Sequence, residues 1–243
     1  MDAQFQAALP QAHGLIGGNR WLGEAELADA AQLETISSIS VGYDTYDLDY
    51  LTRRGIMLTN TPDVLTETTA DLAFALILAT ARRIPELEAW VRQGSWGGPV
   101  DASRSGCDVH GKTLGIMGLG KIGSAIARRG RFGFGMNILY SGSSPKPQLE
   151  QEFGARFVSK ETLLSEADFV CPMVPLTPET RHLISTAELA RMNPEAILIN
   201  VSRGPVVDEA ALIEALQLEN LTAGLQGAPP RNLVNPATFN ISG

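Results

Sequence analysis

Cysteine is scarce in this chain, which has only Cys107 and Cys171 among its 243 residues. The two cysteines lie in unlike contexts and lack the spacing of metal ligands, so we expect neither a disulfide framework nor a metal site. This cysteine usage favours a reducing compartment, and we expect a cytoplasmic protein. The first residues also lack the order of a basic segment and then an apolar segment that marks a secretory signal.

Runs of positive charge and long apolar runs are missing as well. The formal net charge is −8, and the chain has no long basic run to offset it, since adjacent arginines occur in nothing longer than pairs such as Arg53-Arg54. This balance argues against a nucleic acid or an anionic membrane surface as the partner. The most apolar stretch, 70–81, carries Asp71 near its start and is too short to span a bilayer. We interpret it as a core helix.

Short apolar segments alternate with helical patterns from residue 112 onward. The segments "TLGIMG", "MNILYS", "ADFVCPMV" and "AILINVS" are predicted strands, and 121–131 is a predicted helix. This alternation indicates a parallel sheet covered by helices on both faces. Upstream, the patterns predict a helix over 24–31, a helix that ends at Gly55, and a long helix over 67–90 for which a break near Pro85 is the alternative.

The segment "GLGKIG" follows the first of these strands and opens a helix, inside a βαβ unit of about 30 residues. Its glycines have the G-x-G-x-x-G spacing, in which they allow a tight turn, a close approach of a pyrophosphate, and close packing of helix on strand. The helix N-terminus adds amide donors for the pyrophosphate. The predicted cofactor-binding residues are Gly118, Leu119, Gly120, Lys121, Ile122 and Gly123. The alternative is a glycine-rich turn with no ligand.

The segment "LYSGSSPKP" ends the second strand and bears on the choice of cofactor. An NAD site usually has an acidic residue here for the ribose 2′-hydroxyl. None occurs between Tyr140 and Gln148, where the sequence has Ser141, Ser143, Ser144 and Lys146 instead. This set would accept a 2′-phosphate, so we predict NADP as the cofactor, with NAD as the alternative. A solvated turn with no cofactor role is the remaining interpretation.

Arg203 follows a buried-looking strand at its carboxyl end, where α/β sheets bind ligands. An arginine at this place can pair with a carboxylate through two hydrogen bonds. For an isolated residue, an exposed loop arginine would be the ordinary interpretation.

The sequence resembles the D-2-hydroxyacid dehydrogenases, and most closely the glyoxylate/hydroxypyruvate reductases and 2-ketogluconate reductases. The resemblance rests on "SISVGYD", "NTPDVLTETTADLAFAL", "GKTLGIMGLGKIG", "VPLTPETRHLI" and "INVSRGPVVDEAAL", which together cover much of the chain. It implies an oxidoreductase of the EC 1.1.1 type that transfers a hydride between a nicotinamide and C2 of a small 2-keto or 2-hydroxy acid. It also implies a homodimer in which the 70–81 helix takes part.

The resemblance implies an α/β fold with a Rossmann-type, doubly wound parallel sheet and a smaller, flavodoxin-like substrate domain. We expect the substrate domain over 1–95, the dinucleotide-binding domain over 96–218, and a tail that returns to the substrate domain over 219–243. Both domains are expected to be incomplete, because the first α/β unit has no opening strand and the chain changes abruptly near Gln217–Glu219.

Carried over by motif, Arg203 orients and polarises the carboxylate and the keto oxygen. Val41 and Gly42 offer backbone amides to the carboxylate, and Thr69, Pro175 and Val201 line the cofactor cleft. These roles agree with the chemistry, because reduction builds negative charge on the carbonyl oxygen and a fixed cation stabilises that charge in the transition state.

The proton donor of the family, a histidine paired with a glutamate, belongs to segments that have no counterpart here. We expect the three histidines present, His13, His110 and His182, to be surface or structural residues. The 243-residue chain is therefore predicted to have little reductase activity. The alternative function is a catalytically inactive dinucleotide-binding or regulatory module.

Overall fold

The computed structural model describes residues 3–17, 20–100 and 104–225. The chain forms two compact units, Met1–Leu72 and Ala73–Gly243. Both contain a parallel sheet with helices, which confirms the α/β fold class. The domain boundary after residue 95 stays a prediction. Most of the expected tail, 226–243, lies outside the described residues.

The first unit contains a three-stranded parallel sheet of β1 (Gly14–Ile16), β2 (Thr35–Ser37) and β3 (Met57–Thr59), in the order β1-β2-β3. Its helices are α1 (Ala3–Ala8) and α2 (Leu48–Arg54). The core is formed by apolar side chains around Ile36, which is 1% exposed at the centre of the sheet; they include Leu9, Leu22, Leu27, Leu33, Tyr46, Tyr50, Leu51 and Ile56.

Helix α2 begins and ends as its sequence predicts. The Asp47 carboxylate accepts the N–H of Tyr50 at 2.9 Å, and Gly55 ends the helix with φ 69°. The predicted helix over 24–31 is wrong, because this segment consists of turns. The Glu26 carboxylate accepts the N–H of Gly23 at 3.0 Å and Leu27 is completely buried. Tertiary packing and a local side-chain bond therefore outweigh the helical pattern.

The second unit contains a five-stranded parallel sheet in the order β6-β5-β4-β7-β8. The strands are β4 (Thr113–Met117), β5 (Asn137–Ser141), β6 (Arg156–Phe157), β7 (Phe169–Pro172) and β8 (Ile197–Leu198). Counted along the chain, this is the doubly wound order 3-2-1-4-5, whose direction reverses between β4 and β7. The predicted Rossmann-type sheet is confirmed.

Helices connect these strands, and all four residues of β7 are buried between them. The connecting helices are α5 (Lys121–Arg128), α6 (Pro147–Phe153), α7 (Lys160–Glu166) and α8 (Thr186–Leu189). Helix α9 (Glu209–Leu225) follows the last strand and runs without interruption through the 217–219 segment, where the sequence suggested a junction. No helix of the described part is long and apolar enough to cross a membrane.

The helical pattern over 67–90 forms two helices, α3 (Thr66–Ala81) and α4 (Ile84–Arg92), so the alternative with a break near Pro85 is confirmed. Arg83 separates them with a left-handed backbone, φ 52°, and its guanidinium bonds Glu86 at 2.8 Å. Pro85 then occupies the first turn of α4, where a residue without an N–H is tolerated. The break therefore lies just before the proline.

Candidate functional site

The glycine loop after β4 has a backbone that only glycine accommodates at its first position. Gly118 has φ +96°, and a Cβ at this residue would lie 2.6 Å from the carbonyl oxygen of Met173. The N–H of Gly118 donates to the Ser141 carbonyl at 2.8 Å, which ties the loop to the end of β5. The carboxyl ends of β4, β5 and β7 therefore meet at this turn.

The other two glycines have different surroundings. A Cβ at Gly123 would lie 2.4 Å from the Gly118 carbonyl oxygen, so α5 packs against its own entry loop. A Cβ at Gly120 would meet no atom of the described residues within 4 Å. The middle glycine thus borders open space in front of the helix, as required for a phosphate group that approaches the backbone.

Helix α5 begins at this open space. Gly120 is its N-cap, and its carbonyl accepts the N–H of Ser124 at 2.8 Å. Leu119 is buried, Lys121 is exposed and Ile122 is half-buried. The first amides of a helix have no partner within the helix, so this end can bind an anion, and a dinucleotide pyrophosphate fits both the donors and the space.

The loop after β5 is held by the hydroxyl of Tyr140. This oxygen accepts the N–H of Lys146 and donates to Glu150 Oε1, both at 2.6 Å. Burial and the bond to Glu150 raise the pKa of Tyr140, so the hydroxyl stays protonated at neutral pH. Ser141 is half-buried, whereas Ser143, Ser144 and Lys146 are exposed.

Arg203 lies in a short loop that follows β8, and the side chain of Asn200 organises this loop. The Asn200 amide donates to the Arg203 carbonyl at 2.8 Å, while its oxygen accepts the N–H of Ser202 at 3.0 Å and the Ser202 hydroxyl at 2.8 Å. The Arg203 guanidinium donates to the Ser202 carbonyl at 2.9 Å and is partly exposed. Asn200 therefore fixes the backbone from which the arginine projects.

A second set of bonds holds the far end of this loop. The backbone of 182–185 runs beside 205–208. The His182 N–H donates to the Pro205 carbonyl at 2.8 Å, and the Asp208 N–H donates to the Ile184 carbonyl at 2.8 Å. The Asp208 carboxylate caps α9 by accepting the N–H of Ala211 at 3.2 Å. That bond, together with the nearby His182 and Ser185, holds the pKa of Asp208 below its usual range.

The other predicted residues of this unit also follow strands at their carboxyl ends. Pro175 comes after β7, and its carbonyl accepts the Thr180 hydroxyl at 2.5 Å. Val201 comes after β8 and is half-buried. The second unit thus has the glycine loop, the loop after β5 and the Arg203 loop at the carboxyl ends of its strands.

The first unit holds Val41 and Gly42 at the carboxyl end of β2, both half-buried. The Asn60 side chain donates to the Val41 carbonyl at 2.9 Å. Because the C=O and N–H of one peptide point in opposite directions, this bond directs the N–H of Gly42 away from Asn60. Thr69 lies in α3, where its N–H donates to the Leu65 carbonyl at 2.9 Å.

The three histidines have different surroundings. His13 is exposed and 3.3 Å from Glu34. His110 is exposed and precedes β4, at the edge opposite the glycine loop. His182 has a left-handed backbone, φ 55°, and its Nδ1 lies 3.5 Å from Asp208 Oδ2. Among the described residues, no group of three or more His, Cys, Asp or Glu side chains could hold a metal ion.

Sequence reasoning missed Asn60, Asn200 and Tyr140. Each asparagine comes directly after its strand, or two residues after it, and a side-chain amide at this place commonly bonds the next few backbone groups. That position was the available signal. The bonds of Tyr140 reach six and ten residues along the chain and leave no local pattern.

The doubly wound sheet with its glycine loop defines a dinucleotide-binding protein of the Rossmann type. The sequence profile of the D-isomer specific 2-hydroxyacid dehydrogenase, NAD binding domain, matches residues 74–228. The chain belongs to the D-isomer-specific 2-hydroxyacid dehydrogenase family. The matched range begins one residue into the second compact unit.

Named relatives agree with this family. The chain is 50% identical over 214 residues to the glyoxylate/hydroxypyruvate reductase B of Serratia proteamaculans, an alignment that covers 88% of this chain and 66% of that protein. The chain thus spans just under two thirds of the length of this relative.

Two solved structures give the same result. The D-lactate dehydrogenase from Aquifex aeolicus, complexed with NAD and lactic acid, superposes with a TM-score of 0.81 at 33% identity, covering 88% of this chain and 63% of that one. A glyoxylate reductase from Paecilomyes thermophila superposes with a TM-score of 0.76 at 33% identity, covering 88% and 66%.

Proposed function

We propose that this chain carries the dinucleotide-binding and carboxylate-orienting parts of an NADP-preferring reductase of small 2-keto acids, of the glyoxylate, hydroxypyruvate or 2-ketogluconate type. The observation that carries the proposal is the joint position of the glycine loop and the Arg203 loop at the carboxyl edge of one doubly wound sheet. Ligands of such sheets bind at this edge, beside the point where the strand order reverses.

The cofactor part of the proposal rests on the open space at Gly120 and on the loop after β5. When bound, the nicotinamide would supply the hydride. The exposed Ser143, Ser144 and Lys146 offer hydroxyl donors and one cation, with no acidic residue within the loop. A 2′-phosphate gains charge-assisted hydrogen bonds from such a set, whereas a ribose 2′-hydroxyl would prefer a carboxylate acceptor.

Arg203 is proposed as the catalytic cation. Its guanidinium can bind a carboxylate with two hydrogen bonds and can stabilise the negative charge that develops on the keto oxygen. The Asn200 bonds fix its backbone in advance, so little reorganisation is needed as charge develops. Val41 and Gly42 are proposed to offer amides to the substrate carboxylate, and Thr69, Pro175 and Val201 to line the cofactor cleft.

A second candidate function is dinucleotide binding without turnover, as in an inactive or regulatory module. The surroundings of the three histidines favour it. His13 pairs with a glutamate in the first unit, His110 lies at the opposite sheet edge, and His182 faces Asp208 at the start of α9. A proton donor must lie within hydrogen-bond reach of the substrate oxygen, so these placements support binding more than proton transfer.

We further propose a cytoplasmic homodimer. Helix α3 buries Ala70, Ala73 and Ile77 on one side, and it exposes 53% of Leu72 and 37% of Leu76. Exposed leucines on a helix favour association with another surface. The exposed Cys107 is a free thiol, which is typical of a protein from a reducing compartment.

The test measures binding and turnover separately on the 243-residue protein. We expect NADPH to bind and to quench tryptophan fluorescence. We expect NADPH oxidation with glyoxylate or hydroxypyruvate to be about 10²–10⁴-fold slower than in a reductase that has a general acid. Turnover at a rate normal for these reductases would remove the second candidate. Failure to bind either dinucleotide would contradict both functions.

The arginine is tested in the residual reaction. Arg203→Gln should lower kcat/KM at least about tenfold, because it removes the only cation proposed for the transition-state charge. Arg191→Gln is the matched control, since Arg191 is an exposed arginine at the end of α8. Equal effects of the two substitutions would contradict the role of Arg203.

A further inference from the structure

Tyr140 combines burial with two short hydrogen bonds at the end of β5. Its side chain is 1% exposed and its ring lies 5.2 Å from the ring of Phe157, centroid to centroid. The hydroxyl accepts from the Lys146 backbone and donates to the Glu150 carboxylate, each at 2.6 Å. One buried oxygen therefore links the strand, the loop after it and helix α6.

These bonds close the serine–lysine loop, which we define as residues 141–146. At its start, the Ser141 carbonyl accepts the N–H of Gly118 at 2.8 Å, so the loop is tied to the glycine turn. At its end, the Lys146 N–H is held by Tyr140 and the Lys146 carbonyl accepts the N–H of Glu150 at 3.0 Å. Ser143 and Ser144 lie between these two anchors and are exposed.

Glu150 is the first acidic residue after the loop in the sequence. Its carboxylate accepts a hydrogen bond from the Tyr140 hydroxyl, the same oxygen that accepts from the Lys146 N–H, so the carboxylate is close to the loop backbone. A carboxylate that was free to turn toward the loop would supply the acceptor that NAD sites use, and it would repel a phosphate. The Tyr140 hydroxyl binds this carboxylate instead.

We propose that Tyr140 determines the cofactor preference as a positioning residue, by closing the serine–lysine loop and by holding the Glu150 carboxylate away from the 2′-phosphate of NADP. The inference rests on the proposed function, since it explains how the loop would select NADP. It assigns the selection to a buried tyrosine outside the loop as well as to the loop side chains.

The experiment compares dissociation constants for NADPH and NADH, measured by fluorescence titration of the full 243-residue protein. Tyr140→Phe keeps the ring and removes both hydrogen bonds. We expect it to weaken NADPH binding about fivefold or more, the effect of losing one or two hydrogen bonds, and to change NADH binding less than about twofold. The double variant Tyr140→Phe/Glu150→Gln should recover part of the NADPH affinity, because the released side chain is then an uncharged amide that does not repel the phosphate.

Glu152→Gln is the matched control, since it removes a charge from an exposed position of the same helix and should leave the preference unchanged. Equal weakening of both cofactors by Tyr140→Phe would mean a structural role alone and would overturn the inference. An unchanged NADPH-to-NADH ratio in that variant would overturn it as well, while the proposed NADP preference stood. A wild-type protein that binds NADH as tightly as NADPH would overturn the proposed preference together with the inference.

Discussion

Replacing either of two glycines of the cofactor loop, Gly120 or Gly123, by alanine should separate binding from stability. Gly120→Ala places a methyl group in open space, where the described residues offer no atom within 4 Å. Its backbone, φ −81° and ψ −163°, is one that alanine adopts easily. The unfolding free energy should change by less than about 1 kcal/mol, the cost of alanine in place of glycine at an N-cap. NADPH affinity should fall about tenfold or more, because the methyl occupies space that a pyrophosphate would need.

Gly123→Ala should instead lower the stability of the fold. Its methyl would lie 2.4 Å from the Gly118 carbonyl oxygen, which is backbone and cannot turn aside. Overpacking of this kind costs about 1–3 kcal/mol, and the helical preference of alanine returns up to about 1 kcal/mol. A net loss of about 1–2 kcal/mol corresponds to a melting temperature lower by roughly 2–8 °C.

The two variants are compared by thermal unfolding and by NADPH titration, each with wild type in the same buffer. If Gly120→Ala bound NADPH as tightly as wild type, the space before α5 would not be a dinucleotide site. If Gly123→Ala melted at the wild-type temperature, the close contact with the Gly118 carbonyl would not constrain the loop.

Three further predictions concern the loops and the thiols. Asn200→Asp keeps the acceptor for Ser202 but loses the donor to the Arg203 carbonyl, so a urea titration should show a loss of about 1–3 kcal/mol, with Asn193→Asp as the control. The pKa of Asp208 is depressed, so its ionised form stabilises the fold at pH values above the ordinary aspartate pKa of about 3.9, and this stabilisation is lost as the pH falls below that value. The difference in melting temperature between wild type and Asp208→Asn should therefore persist at pH 7 and shrink in acid. Burial raises the pKa of Cys171 to about 12, whereas Cys107 is exposed. A thiol reagent should therefore modify Cys107 quickly and Cys171 only after unfolding.

The parallel sheet and the glycine loop could be predicted because their signals are local. Apolar strands such as β4 and β7 are buried on both faces, so their composition alone indicates a covered parallel sheet. Gly118 has a positive φ, which the first position of the motif requires and which a glycine in the sequence indicates. The NADP preference and the roles of the site residues stay predictions.

The features that the sequence did not predict depend on contacts between distant residues. The 24–31 segment has a helical pattern, but Leu27 and Ala30 reach the core from turns. The sequence indicates a break near Pro85 but not its cause, which is the left-handed backbone of Arg83, whose guanidinium bonds Glu86. Asn60 bonds a carbonyl 19 residues away along the chain. Periodicity and propensity contain no information about such partners.

The placement of the histidines leads to a final prediction about the residual reaction. In its proposed role, Arg203 stabilises charge on the keto oxygen but does not release a proton, since an arginine side chain remains protonated in proteins. If proton delivery limits the rate, an added small acid should replace the missing group, and the rate should rise in proportion to the imidazolium concentration.

The pH dependence of this rescue identifies its cause. Imidazolium loses its proton near the ordinary histidine pKa of about 6.5, so the rescue should fade above pH 7. Tetramethylammonium at the same ionic strength is the control, because it is a cation without a proton to give. Equal rates with the two cations would show that proton delivery does not limit the residual reaction, and this would refute the reasoning.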